Sequence, residues 1–304
     1  MERKRFYTKR RLRQTIEGYL FISPWIIGFV LFTAGPIVAS FVLSFFSWSL
    51  IRPPRLVWFD NYVVMFTRDP LFWQSLRVTM VYVVVAVPLQ LLFALFLAIL
   101  LNQKVRLIPF FRTLFYLPSQ VSSVAMAVIF LWIYHPELGL VNDLLRLIGV
   151  QGPAWLISPQ WALPALIGMS LWTVGGSMII LLAGLQDIPQ HLYEAAALDG
   201  AGELAKFRYV TLPMLSPVIF FILVLGIIAG FQYFAQAYVM TRGGPLNATL
   251  FYALYLYLNA FNFLKMGYAA ALAWILLLII MAVTILQLRL ARYWVYYEFE
   301  ETRR

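Results

Sequence analysis

"EAAALDGAGELAKFRYVTLP", Glu194–Pro213, decides how the rest of the chain is read. The stretches on either side, Trp161–Leu185 and Met214–Met240, are apolar enough to sit in lipid. Between them lie the acids Asp187, Glu194, Asp199 and Glu203, the bases Lys206 and Arg208, an alanine run and two glycines. That composition predicts a small amphipathic helix and a turn held outside the membrane. A chain that otherwise hides in a bilayer here carries one compact, water-facing element.

The lipid assignment follows from composition. The 304 residues are 62% hydrophobic and only 12% charged. A soluble domain of this length could not bury so much apolar surface, so the bilayer must serve as solvent. Cysteine is absent, which excludes a disulfide framework and any cysteine-based metal site. The net charge of +10 would suit nucleic acid, but the bases cluster beside apolar runs, where they orient a membrane protein instead. No nucleic-acid partner is expected, and membrane lipid is.

Backbone polar groups cannot be left unpaired in hydrocarbon, so apolar runs of about 20 residues cross it as helices. Six such spans are predicted: Tyr19–Leu50, Leu76–Leu101, Phe110–Ile133, Trp161–Leu185, Pro213–Met240 and Met266–Leu288. The first follows a basic region, yet its apolar stretch is too long for a signal peptide and lacks a small-residue cleavage site, so an uncleaved anchor is expected. With the N-terminus inside, inner segments hold sixteen Lys/Arg against five in outer loops, placing both termini in the cytosol. The expected organisation is a basic N-terminus over residues 1–18, a transmembrane domain over 19–290 with a cytosolic loop at 186–213, and a cytosolic tail at 291–304.

No Asp, Glu, Lys or Arg falls within a span core, and both histidines, His135 and His191, lie in loops. Proton-coupled carriers need ionisable groups at mid-membrane; a sodium site built from backbone carbonyls stays open, as does an unpowered channel. An intramembrane enzyme would need paired acids, a Ser/His pair or a metal cluster, and none is visible. There is no G-x-x-x-x-G-K-[ST] phosphate loop. No cofactor or catalytic residue is predicted; the energy for any work must come from a partner. Gly226 and Gly230, like Ala269 and Ala273, form small-xxx-small seams that allow close helix approach. Pro88, Pro118 and Pro164 each remove a backbone donor and favour a kink.

Within the water-facing element, Asp187 is expected to cap a helix, with Gln190 reaching back as in a capping box and Pro189 in the first turn. Ala195, Ala196 and Ala197 favour the helix, and Gly200 supplies the left-handed residue that ends it. A second helical piece, Glu203–Val210, should stop at Leu212-Pro213, where the next span opens. A solvated connector would fit this pattern. An alanine-smooth helix rimmed by Leu192, Tyr193, Leu198 and Phe207, with Glu194 as its charged contact, would also fit a groove in another protein.

These residues resemble the EAA signature, E-A-A-x3-G-x9-I-x-L-P, of permease subunits in bacterial binding-protein-dependent ABC importers. Glu194, Ala195, Ala196, Gly200, Leu212 and Pro213 match it, and Val210 stands where the pattern has Ile. "FDNYVVMF", "DPLFWQSL", "LPSQVSSVAMAVIFLWIY", "GLVNDLL" and "YVMTRGGPLNATLFYALYLY" are similar to the carbohydrate branch of that family, the maltose and glycerol-phosphate type permeases. The resemblance implies an all-α polytopic membrane bundle, the type I ABC importer permease fold. It implies a second permease subunit forming a heterodimer, two ATP-binding subunits and an extracytoplasmic solute-binding protein. It also makes Glu194, Ala195, Ala196, Asp199, Gly200, Val210, Leu212 and Pro213 the coupling element that docks in an ATPase groove, in a chain with no ATPase site of its own.

A solute path is sought in the fifth span, where "GFQYFAQAYVM" (Gly230–Met240) places Gln232 and Gln236 four apart on one helix face, with Tyr233 and Met240 beside them. Amides pair with sugar hydroxyls in both directions and rings cover sugar C–H faces. The same amides would also serve as interhelical glue, worth about 0.6 kcal/mol per bond.

Overall fold

The computed structural model describes residues 9–103 and 106–296; the basic residues before position 9, Lys104, and the end of the tail with Arg303 and Arg304 lie outside it. Helices dominate. In chain order they are α1 (Lys9–Phe29), α2 (Gly35–Leu43), α3 (Asp60–Thr67), α4 (Pro70–Leu100), α5 (Ile108–Tyr116), α6 (Ser123–Ile133), α7 (Leu140–Leu147) and α8 (Ala162–Ser170). They continue as α9 (Gly175–Gln186), α10 (Gln190–Leu198), α11 (Glu203–Lys206), α12 (Leu212–Phe231), α13 (Ala235–Met240), α14 (Tyr252–Tyr257) and α15 (Met266–Ala291). Two strands, β1 (Phe46–Ser47) and β2 (Arg55–Leu56), pair antiparallel with Phe46 opposite Leu56.

Four helical stretches are long and apolar enough to cross a membrane: Gln14–Leu43, Pro70–Leu100, Glu203–Met240 and Met266–Ala291. Two bent pairs, Ile108–Gln120 with Ser123–Ile133 and Ala162–Thr173 with Gly175–Gln186, bring the count to six if each is one span. The six expected runs are thus matched when both bent pairs count as spans, with altered ends and interiors.

The described residues fall into two compact units. In the unit formed by residues up to 64 and 259–274, α1 and α2 are joined by a π-turn, Val30–Ala34, and none of the side chains in Val30–Leu43 is buried. The helix stops at Leu43, not at Leu50 as expected. Its end is captured: Ser44 Oγ donates to Phe41 O at 2.6 Å, and Asn61 Nδ2 donates to Ser44 O and Phe46 O at 2.8 and 3.0 Å. Phe45 packs edge-on to Phe59, with ring centroids 5.4 Å apart. Gly267 is required here, because a Cβ on it would lie 1.7 Å from Phe46 O.

In the unit formed by residues 65–258 and 275 onward, α4 is the central element, packing against α9, α12, α8 and α14. It starts six residues before the expected Leu76 because Asp69 caps it, its Oδ1 accepting from Leu71 N and Phe72 N at 3.0 and 3.3 Å. Pro88 sits inside this helix without interrupting it, whereas Pro118 marks the sharpest break. There Leu117–Gln120 tightens to a 3-10 turn, Val121 is extended, Ser122 caps α6, and the two halves meet at 102°. Pro164, in the first turn of α8, kinks nothing; the 47° bend of this span falls later, at Leu171–Thr173.

Apolar side chains gain little by leaving lipid tails for one another, so contact in such a unit depends on close fit. The glycine seam supplies it: Cβ atoms on Gly226 and Gly230 would lie 2.9 Å from methyls of Val87 and Val83 on α4. Gly175 is tighter, with a Cβ there 2.3 Å from Phe115 O and 2.8 Å from the Tyr116 Cα, while its neighbour Gly176 faces open space. Backbone cannot yield as a side-chain tip can. Gly175→Ala should therefore cost about 1–3 kcal/mol and collapse the monodisperse yield in fluorescence-detected gel filtration, while Gly176→Ala should elute as wild type.

Candidate functional site

The stretch Asp187–Pro213 begins with a correction. Asp187 does not cap α10 and Gln190 does not reach back; Pro189, extended at φ −61° and ψ 129°, occupies the cap position, with no side-chain capping bond. Proline at that point has already surrendered one of the donors a cap would satisfy. The other end behaves as read. Gly200 has φ +82°, Gly200 N donates to Ala197 O at 3.0 Å, and Ala201 N donates to Ala196 O at 2.9 Å. This bond pair is the Schellman closure, which satisfies carbonyls the helix end would orphan.

The helix has two distinct sides. Leu192 and Tyr193 pack against a core formed by the ends of α4 and α9 and the start of α12, including Leu101, Leu185, Ile188 and Leu215. Tyr193 Oη and Thr211 Oγ1 share a hydrogen bond of 2.9 Å, tying α10 to the chain beyond the turn. Phe207 and Val210 join the same core. So three of the four residues expected to rim an outward face (Leu192, Tyr193 and Phe207) turn inward. The outward side consists of Glu194, Ala195, Ala197, Leu198 and Asp199, with Leu198 90% exposed; on the neighbouring α11, Leu204 is 80% exposed. Sequence reading had no cue for Leu204, since only the turn at Gly200 brings α11 alongside.

The expected stop at Leu212-Pro213 is also overturned. Helix α11 runs through a π-turn, Phe207–Thr211, straight into α12. The wider π-turn lies next to Pro213, which lacks the N–H that an α-helical bond at this point would need. Leu212 and Pro213 are thus interior to one continuous helix from Glu203 to Phe231.

The fifth span breaks where it was expected to be continuous. Helix α12 ends at Phe231, Phe234 adopts φ −138° and ψ −61°, and α13 starts at Ala235. Gln232 and Gln236 therefore do not share one helix face. Gln232 is exposed at the break, whereas Tyr233 is 91% buried and Gln236 half-buried. Tyr233 and Gln236 line a cavity of about 170 Å³ together with Tyr82, Gln90, Met126, Ser170, Thr173 and Gly230. The Tyr233 hydroxyl is buried with no hydrogen-bond partner among the described residues. Tyr82 and Phe251 hold its ring, with centroids 4.5 and 4.7 Å away. A second cavity of about 270 Å³ continues along α12, sharing Val87, Gln90, Gly226 and Ala229. Gln90, Ser170 and Thr173 were missed from sequence. A lone amide within a span was visible at Gln90, but only packing shows that it meets the bend of the fourth span.

Helix α10 is thus two-sided, closed at Gly200 and joined through α11 to a span, with its outward side exposed. The family model "Binding-protein-dependent transport system inner membrane component" matches residues 78–294, which include this element, both cavities and five of the six apolar runs. The chain belongs to that family. The "Probable ABC transporter permease protein YesP" of Bacillus subtilis (strain 168) is 46% identical over 293 residues, covering 95% of this chain and 94% of that protein. The "Sulfoquinovosyl glycerol transport system permease protein SmoG" of Agrobacterium fabrum is 37% identical over 284 residues, covering 92% of each. In solved structures, the fold matches a chain of a bacterial alginate ABC transporter, crystallised in complex with an alginate pentasaccharide-bound periplasmic protein. The TM-score is 0.81 at 21% identity, covering 95% of this chain and 98% of that one. The chain is thus a multi-pass ABC importer permease with the fold expected from the resemblance.

Proposed function

We propose that this permease forms half of a solute pathway in an ATP-driven importer for a sugar or sugar derivative. Residues 187–213 are the element through which ATP-binding subunits move it. The observation that carries the reading is the continuous helix Glu203–Phe231, one end beside the outward face of Glu194, Ala195 and Leu198, the other beside the cavity of Tyr233 and Gln236. Force applied to the docking face reaches the cavity without a hinge between. The sugar class is supported by the cavity's chemistry, two amides, four hydroxyl-bearing side chains and aromatic faces, and by the sugar-derivative and polysaccharide solutes that the names of related systems state. Partners in this reading are a second permease subunit, two ATPases and a solute-binding protein outside.

The deciding experiment is purification of the complex followed by ATPase assays with the solute-loaded binding protein. Stimulation by sugars and no other solute class is the expected result; stimulation by none of a sugar panel defeats the sugar assignment. The reading also requires the docking face to be cytosolic. A reporter active only in the cytosol should therefore work when fused at the C-terminus and fail when inserted near Asn142. The reverse pattern would remove the docking face from any source of ATP.

A further inference from the structure

Helix α7 has three sides, and the proposed transport cycle uses none of them. Val141, Asn142 and Leu145 face the protein. Asn142 is a buried hub: its Nδ2 donates to Pro136 O and Pro153 O at 2.8 and 3.2 Å, and its Oδ1 accepts from Trp155 Nε1 at 2.7 Å. The second side is wet and self-paired, with Asp143 and Arg146 bridged at 3.1 Å and Arg146 also donating to Glu137 O at 2.7 Å. The third is wholly aliphatic. Leu140, Leu144, Leu147 and Ile148 follow helical spacing and are 58, 55, 82 and 73% exposed.

This apolar stripe is preformed. The helix closes in a Schellman pair, Gly149 N to Arg146 O at 3.0 Å and Val150 N to Leu145 O at 2.9 Å, with Gly149 at φ +78°. A stripe of this kind is costly in water, so something covers it. Two observations name the occupant. First, exposed apolar residues precede the stripe in the chain, Val128, Ile129 and Trp132 on α6 and Leu138 before α7, and Trp132 and Trp161 stand at the ends of the two spans α7 connects. Indoles in such positions mark the membrane–water boundary. Second, the stripe holds only Leu and Ile, without the Tyr, Trp or Arg anchors on which protein interfaces depend, and its charges cancel locally, leaving nothing to steer a protein partner.

We infer that α7 is an interfacial anchor, its Leu140–Leu144–Leu147–Ile148 face lying at the acyl boundary of the leaflet opposite the coupling segment. Connectivity sets the leaflet when the bent pair Ala162–Gln186 is taken as one crossing, since it alone separates α7 from α10. Asp143 and Arg146 would then face water, the arrangement of helices that lie in the membrane plane.

The chain has no cysteine, so single substitutions can be labelled selectively. Leu144→Cys, Leu147→Cys and Asp143→Cys, each spin-labelled in the full complex, would be placed in nanodiscs of phosphatidylethanolamine and phosphatidylglycerol. Collision with oxygen, which concentrates in lipid, is compared with collision with a water-soluble nickel chelate. The oxygen-to-nickel ratio should be several-fold higher at 144 and 147 than at 143, with ATPase activity of the complex retained in all three. Equal ratios at 143 and 147 would put the stripe in water and overturn the inference. Loss of both collisions at 144 and 147 would show a protein cover and overturn it too; loss only after adding the solute-binding protein would assign the face to that protein.

Discussion

Gly200→Val is expected to abolish ATP-dependent uptake while leaving the permease in the membrane at normal abundance. Gly200 holds φ +82°, a left-handed conformation in which a β-branched residue is a genuine outlier. A Cβ there meets nothing within 4 Å, so the change acts on the backbone alone. Strain of about 1–3 kcal/mol would unseat the turn population by roughly 5- to 150-fold. The two bonds at Ala196 O and Ala197 O would go, and with them the fixed placement of α11 relative to α10. Gly200→Asn is the matched control, since asparagine tolerates this region and should keep most uptake. Glu194→Lys, which reverses an exposed charge without touching the turn, should weaken ATPase recovery in pull-downs and spare the fold. Wild-type uptake together with wild-type ATPase recovery in Gly200→Val would sink the coupling assignment.

Gln236→Ala and Gln90→Ala should each lower uptake or shift solute preference, leaving assembly and basal ATPase activity unchanged. Each removes an amide from the wall of the cavity. A sugar hydroxyl bonded there contributes about 1 kcal/mol, roughly fivefold in affinity. Tyr233→Phe sharpens the test. Its hydroxyl has no partner within the described residues, so removing it costs the fold no hydrogen bond, and any loss of uptake then reports on the solute. Gln232→Ala should be silent, because Gln232 is exposed at the break and does not line the cavity. Equal losses at Gln232 and Gln236 would move the pathway to the outer face of the break. Detergent-unstable variants at Gln90 and Gln236 would make both amides structural glue.

The spans were legible because lipid imposes a length and a composition that no local choice can evade. The Gly200 turn was legible because its conformation excludes almost every other residue. What escaped the sequence depended on contacts between distant segments. The capture of Ser44 by Asn61 shortens the first span by seven residues, and nothing near Leu43 announces it. Asp69 was overlooked as a cap because the run was judged from its apolar part. The break after Phe231 carries no proline; Tyr233 is instead held between Tyr82 and Phe251 from other elements, which periodicity within one segment cannot show. The inward turn of Leu192, Tyr193 and Phe207 was hidden for the same reason. An amphipathic pattern identifies an apolar side without saying whether the chain's own core or another protein receives it.

That division of α10 separates two selective pressures. Leu192 and Tyr193 share one core with Leu101, Leu185 and Leu215, so their volumes are bound to residues on three other helices and change only in concert with them. Glu194, Ala195, Ala197 and Leu198 are exposed, so they are less bound to the interior and freer to track a partner. If the proposed coupling role holds, the permease could diverge in its spans, and in what it carries, while a patch of a few surface residues preserved its fit to an unchanged motor. Conversely, a handful of substitutions on that patch would suffice to hand the same pathway to a different motor.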